Sequence, residues 1–148
     1  MSSTRQRFGA FVVLILLCPL FWHLKTVLYA ATAPSLPDMS VTHIVLFQFK
    51  PSADTEAVSA ACDRMLALKD NCIHPLSQQP YIKTSSGGLD HSIEGLQNGI
   101  THAFVVEFAN KEDRDYYVQK DPAHQDFIKS LDGIIEKAQV IDFTDRVF

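Results

Sequence analysis

The residues most suited to take part in a reaction are three histidines, and one of them lies where a helix should begin. His124 follows Asp121-Pro122 after one intervening residue. Asp is a preferred N-cap residue and Pro suits the first helical position, so we expect His124 in the first turn of a helix. The helix N-terminus disfavours a charged imidazolium, and a neutral imidazole can accept and return a proton. His124 is therefore a candidate general acid/base, and the alternative is an ordinary surface residue at the start of a helix.

The other two histidines, His43 and His102, occur in matching contexts. Each follows a threonine and precedes apolar residues. Strand alternation places each on the same face as large apolar side chains. If that face meets the helices, it forms an apolar pocket with a few polar groups, which is the usual arrangement for a small ligand. The apolar residues of the predicted pocket are Val45, Phe47, Cys62, Met65, Phe104, Val106 and Phe127. The alternative is a pair of partly buried histidines that hydrogen-bond each other or the backbone.

A metal site built from the three histidines is disfavoured. Imidazole is a common zinc ligand, but no carboxylate or cysteine lies near these histidines at ligand spacing. The three cysteines contain no CxxC pair, which argues against a zinc ribbon or a disulfide scaffold. We therefore expect no metal and no cofactor.

The elements that must position these residues follow the order β-α-β-β-α-β. Alternation, helical stripes, capping residues and glycine-rich breaks set their boundaries. The first half of the body is predicted to contain a strand over Val41–Phe49, a helix capped by Ser52 or Asp54 with the apolar stripe Ala57, Val58, Ala61, Cys62, Met65 and Leu66, and a short strand over Tyr81–Ser85. A loop over Gly87–Gly99 follows, then a strand over Thr101–Ala109 and a short helix that is capped by Asn110 and carries Tyr116 and Tyr117. The last elements are a helix that starts at Asp121-Pro122, with the apolar stripe Phe127, Ile128, Leu131, Ile134 and Ile135, and a strand that begins with Val140 to Phe143 and ends near Arg146.

This order predicts an α+β, ferredoxin-like sandwich with helices on one face of a four-stranded sheet. The other face needs a cover, and in a domain of about 110 residues the simplest cover is a second copy. We therefore expect a homodimer through the sheet faces. The composition of the 148-residue chain, 47% apolar and 20% charged, is that of a folded protein, with a net charge of −4. No run of Lys or Arg is present, so a nucleic-acid partner is not expected.

The N-terminal segment, residues 1–38, differs from the body over residues 39–148. It carries three basic residues and one acidic residue, whereas the body has a net charge of −6. Phe8–Trp22 is an apolar run, and residues 8–31 reach membrane-spanning length only by including His23 and Lys25. The favoured interpretation is a single-pass N-terminal hydrophobic helix that anchors the protein in a membrane. The alternatives are a cleaved signal, which would make the protein secreted, and a wrongly extended start, which would make it cytoplasmic from Met39.

Three stretches of the body together resemble a known family. They are THIVLFQFK at the first strand, GITHAFVVEF at the third strand and YYVQKDPAHQDF at the start of the last helix, with VIDF following. In this order and spacing they resemble the stress-responsive A/B-barrel (Dabb) domain over residues 41–146, and the chain is similar to small fungal members. The resemblance implies a dimeric α/β barrel. It is more distant to olivetolic acid cyclase, which closes a linear polyketide by an aldol reaction without a cofactor.

The cyclase resemblance implies roles for particular residues. The cyclase uses the second His of an H-P-A-H motif, helped by a preceding Tyr. His124 matches that His, Asp121 replaces the first one, and Tyr117 matches the helper if one residue is inserted. The predicted function is a cofactor-independent cyclase or lyase acting on a polyketide-like or apolar carbonyl compound, and the alternative is a non-catalytic dimeric protein that binds a small ligand or acts in stress. The predicted catalytic residues are His124 and Tyr117, and the predicted substrate-binding residues are His43, Val45, Phe47, Met65, His102, Phe104, Tyr116 and Phe127.

Overall fold

Four antiparallel strands and three helices make up residues 39–148, the part of the chain that the computed structural model describes. The predicted ferredoxin-like α+β architecture is confirmed. The elements, in chain order, are β1 (Val41–Phe49), α1 (Thr55–Asn71), β2 (Ile82–Leu89), β3 (His102–Phe108), α2 (Lys111–Gln119), α3 (Pro122–Ser130) and β4 (Ile135–Phe143).

The strands are arranged in the order β2-β3-β1-β4, so β1 and β3 occupy the centre of the sheet. The residues of β1 alternate strictly between buried and half-buried, as the period of two predicts. Antiparallel pairing sets His43 opposite Val106, and it sets His102 opposite Phe47. The two histidines therefore share the helix-covered face but lie at opposite ends of it.

Each helix begins at a side chain that accepts hydrogen bonds from the free backbone N–H groups of its first turn. Asp54 is the N-cap of α1, Asn110 of α2 and Asp121 of α3. The apolar stripe of α1 buries Ala61 and Met65 against the sheet. The core is a single cluster of buried side chains, mainly aromatic and aliphatic, between the helices and the sheet: Val45, Phe47, Phe49, Ala61, Met65, Leu68, Cys72, Ile82, Phe104, Val106, Phe108, Tyr117 and Phe127.

Three predicted boundaries are wrong. Strand β2 continues to Leu89, through a stretch predicted as loop, because Gly87 allows a close approach: a Cβ there would lie 2.2 Å from Cδ1 of Phe104. Helix α3 ends at Ser130, short of the predicted stripe, and Gly133 turns the chain in the left-handed conformation, with φ of +82°. Strand β4 consequently begins at Ile135, five residues before the predicted start.

The sheet face opposite the helices is uncovered within the described chain. It presents apolar side chains alternating with the core residues of the strands, among them Ile44, Leu46, Val105, Ile141 and Phe143. Ile141 and Phe143 are each nearly half exposed. This face is where the sequence predicts a second copy.

The predicted N-terminal hydrophobic helix and the proposed domain boundary at residue 38 fall on residues outside those that the structure describes, and they stay predictions. The predicted membrane localisation is corrected: from residue 39 to residue 148, no helix has the length and apolar character needed to cross a bilayer.

Candidate functional site

A cavity of about 510 Å³ lies between the helices and the β1–β4 half of the sheet. Its walls are mainly aliphatic and aromatic, and its polar groups gather where α2 and the start of α3 face His43. The lining residues are His43, Val45, Phe47, Met65, Arg114, Asp115, Tyr117, Val118, Gln119, His124, Phe127, Ile128, Leu131, Ala138, Val140 and Asp142. An apolar cavity with a few convergent polar groups is the usual form of a small-molecule site.

His124 and Tyr117 form a stacked pair in the wall of this cavity. Their ring centroids are 3.8 Å apart and their planes are inclined by 27°. Tyr117 is fully buried and His124 is only 9% exposed. Neither Nδ1 of His124 nor the hydroxyl of Tyr117 has a hydrogen-bond partner among the described residues. Both atoms are themselves buried. Buried polar groups are rarely left unsatisfied, so this pair stands out among the polar groups of the cavity wall.

Both members of the stacked pair are uncharged at neutral pH. Burial lowers the pKa of His124 to about 4; the backbone of Tyr117 opposes this shift, and the nearby His43 adds to it. Burial likewise raises the pKa of Tyr117 well above its usual range. A neutral imidazole with a free ring nitrogen can accept a proton, while the tyrosine hydroxyl keeps its own.

The backbone of His124 is held by Asp121, which is completely buried. One oxygen of this carboxylate, Oδ1, accepts from the backbone N–H groups of Ala123 and His124, at 2.9 and 3.2 Å. The other oxygen accepts from the hydroxyl of Tyr81 at 2.7 Å. Burial and this hydrogen bond raise the pKa of Tyr81, so the hydroxyl remains a donor. Asp121 thus satisfies the start of α3 and ties it to the entry of β2 (residues 81–82).

A chain of hydrogen-bonded polar groups forms one end of the cavity. Nδ1 of His43 lies 2.6 Å from Oδ1 of Asp142, and the guanidinium of Arg114 binds the other oxygen of the same carboxylate. Arg114 also donates from Nε to Asp115 at 2.9 Å. Burial alone would lower the pKa of Arg114, but hydrogen bonds and charge attraction from Asp115 and Asp142 raise it. The rings of His43 and Tyr117 meet edge to face, with centroids 5.7 Å apart, so the chain ends beside the stacked pair.

The structure brings most of the predicted site residues to this cavity. Those that line it are His43, Val45, Phe47, Met65, Tyr117, His124 and Phe127. His102 and Phe104 instead lie at the other end of the helix-covered face, beside a separate depression that Cys62 also lines. Tyr116 points away from the cavity and packs against His74 and Tyr81.

The charged end of the cavity was missed by sequence reasoning. Asp142 had a signal that could have been used: it interrupts the apolar stretch of β4 at a position facing the same way as Val140. Arg114 and Asp115 had no comparable signal, because they belong to the charged sequence of α2. Among residues 39–148, no group of three or more side chains suited to a metal ion comes together.

Comparison with known proteins identifies relatives over this whole region. The sequence model of the stress responsive A/B barrel domain matches residues 41–145. The stress-response A/B barrel domain-containing protein HS1 of Arabidopsis thaliana is 33% identical over 103 residues, which cover 70% of this chain and 87% of HS1. Two solved structures have the same fold at lower identity. The hydroxynitrile lyase of Passiflora edulis is 22% identical with a TM-score of 0.64, covering 76% of this chain and 99% of that chain. A dimeric ferredoxin-like protein of unknown function from Thermobifida fusca is 15% identical with a TM-score of 0.57, covering 76% and 96%.

Proposed function

The chain belongs to the stress responsive A/B barrel domain family, and we propose that it is a cofactor-independent lyase or cyclase acting on an apolar carbonyl compound. The cavity described above would be its active site, with His124 as the general acid/base. Tyr117 would be the hydrogen-bond donor to the carbonyl oxygen, and His43 would help to orient the substrate.

One observation carries this proposal: the free Nδ1 of His124 and the free hydroxyl of Tyr117 lie on stacked rings in the wall of an apolar cavity. A general base needs an uncharged, correctly placed acceptor, and the lowered pKa of His124 provides the uncharged form at neutral pH. A developing oxyanion needs a donor that is already in position, and the buried Tyr117 hydroxyl is one. In a purely structural core each of these two atoms would cost free energy, because it is buried without a partner among the described residues.

In the proposed reaction, His124 accepts a proton from the carbon next to a carbonyl while Tyr117 donates a hydrogen bond to the carbonyl oxygen. The enolate carbon then attacks a second carbonyl of the same molecule, and a carbon–carbon bond forms. His124 returns the proton to the new alkoxide, so no other acid or base is consumed. Run in reverse, the same proton transfers cleave a carbon–carbon bond, which is lyase chemistry. The aliphatic walls would fold the substrate so that its two reacting carbons meet.

The fold is compatible with this class of reaction, since the hydroxynitrile lyase of Passiflora edulis has it. Fold likeness at 22% identity says nothing of the substrate, so the chemistry rests on the residues of this chain.

We also propose that two copies associate through their open sheet faces. The apolar side chains of this face, including Ile44, Leu46 and Phe143, would then be removed from water. The Thermobifida fusca protein of the same fold is dimeric. Because the cavity lies on the opposite, helix-covered side of the sheet, each copy would keep its own.

The test is a comparison of metabolites by mass spectrometry. Source cells would carry either the wild-type protein, His124→Gln or His102→Gln at equal protein levels. His102→Gln is the matched control, since it makes the same replacement at a histidine that does not line the cavity. We expect only His124→Gln to lose a cyclised or cleaved product and to accumulate its precursor, with turnover reduced about 10²- to 10⁴-fold.

Two outcomes would count against the proposal. An unchanged profile in His124→Gln, with the protein folded, would mean that His124 performs no acid/base chemistry, and a protein that only binds its ligand would then be the better interpretation. An equal loss in both variants would mean that the effect comes from general damage to the fold. Tyr117→Phe provides a second reading, because it should slow the reaction without preventing the ligand from binding.

A further inference from the structure

The charges that line the cavity do not balance. Arg114 is its one cationic side chain of fixed charge among the described lining residues, and it faces the carboxylates of Asp115 and Asp142. Its side chain is only 16% exposed, so this pairing is partly shielded from water. Arg114 binds one carboxylate oxygen of Asp142, and Nδ1 of His43 lies at hydrogen-bond distance from the other. Counting only the side chains of fixed charge and leaving the histidines aside, the two carboxylates outnumber the one guanidinium.

An anionic ligand would meet an unfavourable site at this end. The Arg114 guanidinium already serves two carboxylates, so a third anion would either displace one of them or lie beside both. Like charges placed together repel each other, and the repulsion is stronger at the partly buried Asp142 than at the half-exposed Asp115, where water screens it. Lys111 lines a neighbouring shallow depression with Arg114, but it is exposed, and solvent and salt screen its charge.

The groups that remain free for a ligand are uncharged. They are the hydroxyl of Tyr117, Nδ1 of His124 and the amide of Gln119, with aliphatic and aromatic side chains elsewhere. We infer that the cavity selects uncharged ligands, and that Asp115 is a specificity-determining residue that rejects carboxylates, sulfonates and phosphates. This inference rests on the cavity of the proposed function and narrows its substrate to a neutral carbonyl compound.

Two dyes with the same aromatic skeleton test the inference. N-phenyl-1-naphthylamine is uncharged, and 8-anilino-1-naphthalenesulfonate adds one sulfonate. Each dye would be titrated by fluorescence into the full-length chain. The fluorescence change due to binding in the cavity is the portion that disappears in Ala138→Phe, because the larger side chain fills the cavity from β4. Val140→Trp is a second variant that blocks the cavity. Circular dichroism would verify that both blocking variants are folded.

We expect the uncharged dye to bind in the cavity at least about tenfold more tightly than the sulfonate. Asp115→Asn should tighten binding of the sulfonate by about fivefold and leave the uncharged dye within about twofold, since Asp115 is half exposed and partly screened. Asp126→Asn is the matched control. It makes the same change in net charge at an exposed position of α3 that does not line the cavity, and it should alter neither dye.

Equal cavity binding of the two dyes, or the same response to Asp115→Asn and Asp126→Asn, would overturn the inference. Neither result would bear on catalysis by His124, which the metabolite comparison measures separately. If neither dye gave a signal that the blocking variants remove, the inference would fail together with the ligand-binding part of the proposed function.

Discussion

His43 and His102 begin from the same sequence context and end in different surroundings. His43 is buried, paired with Asp142 and part of the cavity wall next to Tyr117. His102 is half-buried, with Nδ1 2.9 Å from the hydroxyl of Thr101 and its ring edge against Phe49. Both side chains point to the helix-covered face of the sheet, as strand alternation predicts.

The difference arises from the direction of the strands. Because β1 and β3 are antiparallel, His102 lies opposite Phe47, four residues along β1 from His43. At about 3.3 Å per residue this places the two histidines roughly 13 Å apart along the sheet. One end of the face receives helices α2 and α3 with their polar groups, while the other end is packed mainly by apolar contacts. The face on which a strand residue lies is therefore set by the local alternation of the strand, whereas the end of the sheet at which it lies depends on strand pairing.

The largest expected effect concerns the His102 end, which we interpret as scaffold. Phe104→Ala should lower the free energy of unfolding by about 3–5 kcal/mol, because Phe104 is fully buried and packs against Phe47, with 5.6 Å between the two ring centroids. Urea denaturation at a fixed protein concentration would measure this loss. Below the unfolding transition the variant should still bind N-phenyl-1-naphthylamine. A loss in the free energy of unfolding below about 1 kcal/mol, or a selective loss of dye binding, would contradict the interpretation of the His102 end as scaffold.

The second prediction concerns pH. The pKa of His124 is about 4 in the folded protein, below its value near 6.5 in the unfolded chain, so the unfolded chain binds more protons between these values. The stabilisation by His124 is therefore complete above about pH 6.5 and is lost as pH falls toward about 4, by about 2–3 kcal/mol.

Chemical denaturation at pH 7 and pH 4.5 would measure the effect, with His124→Gln removing it. His102→Gln is the comparison variant. The pKa of His102 is also lowered by burial, so its contribution has the same sign, but greater solvent contact should make it smaller. If the two variants altered the pH dependence of the free energy of unfolding equally, the prediction that His124 makes the larger contribution would be wrong.

The smallest expected effect is an interaction energy. A double-mutant cycle of His43→Leu and Asp142→Asn should give a coupling of about 1–2 kcal/mol at pH 7, since the pair is close and partly buried but Asp142 keeps Arg114 as a partner. The matching cycle of His102→Gln and Thr101→Val should give less than about 0.5 kcal/mol. Similar couplings in the two cycles would contradict the special role assigned to the cavity end.

Much of the site was predictable because its signals are local. The Asp121-Pro122 start places His124 in the first turn of α3, and the structure shows Asp121 accepting from the backbone N–H of His124. The stripe of α1 correctly placed Met65 toward the sheet. The boundary errors have equally local causes. The first half of β4 contains mostly polar residues, so the predicted strand began too late. Gly87 is typical of a loop, but in the structure it lies within β2 and leaves room for the ring of Phe104.

Local sequence was enough to fix which face each strand residue occupies and where the helices begin, because these properties depend on residues within one or two turns. The uncharged state of His124 was also expected from the sequence, but its main cause in the structure is burial, a tertiary property. The contact of His43 with Asp142, 99 positions away, and the ion pair of Arg114 with the same carboxylate became visible only in the folded chain. The same holds for the separation of His102 from the cavity. These outcomes depend on strand register and helix packing, which no short stretch of sequence contains.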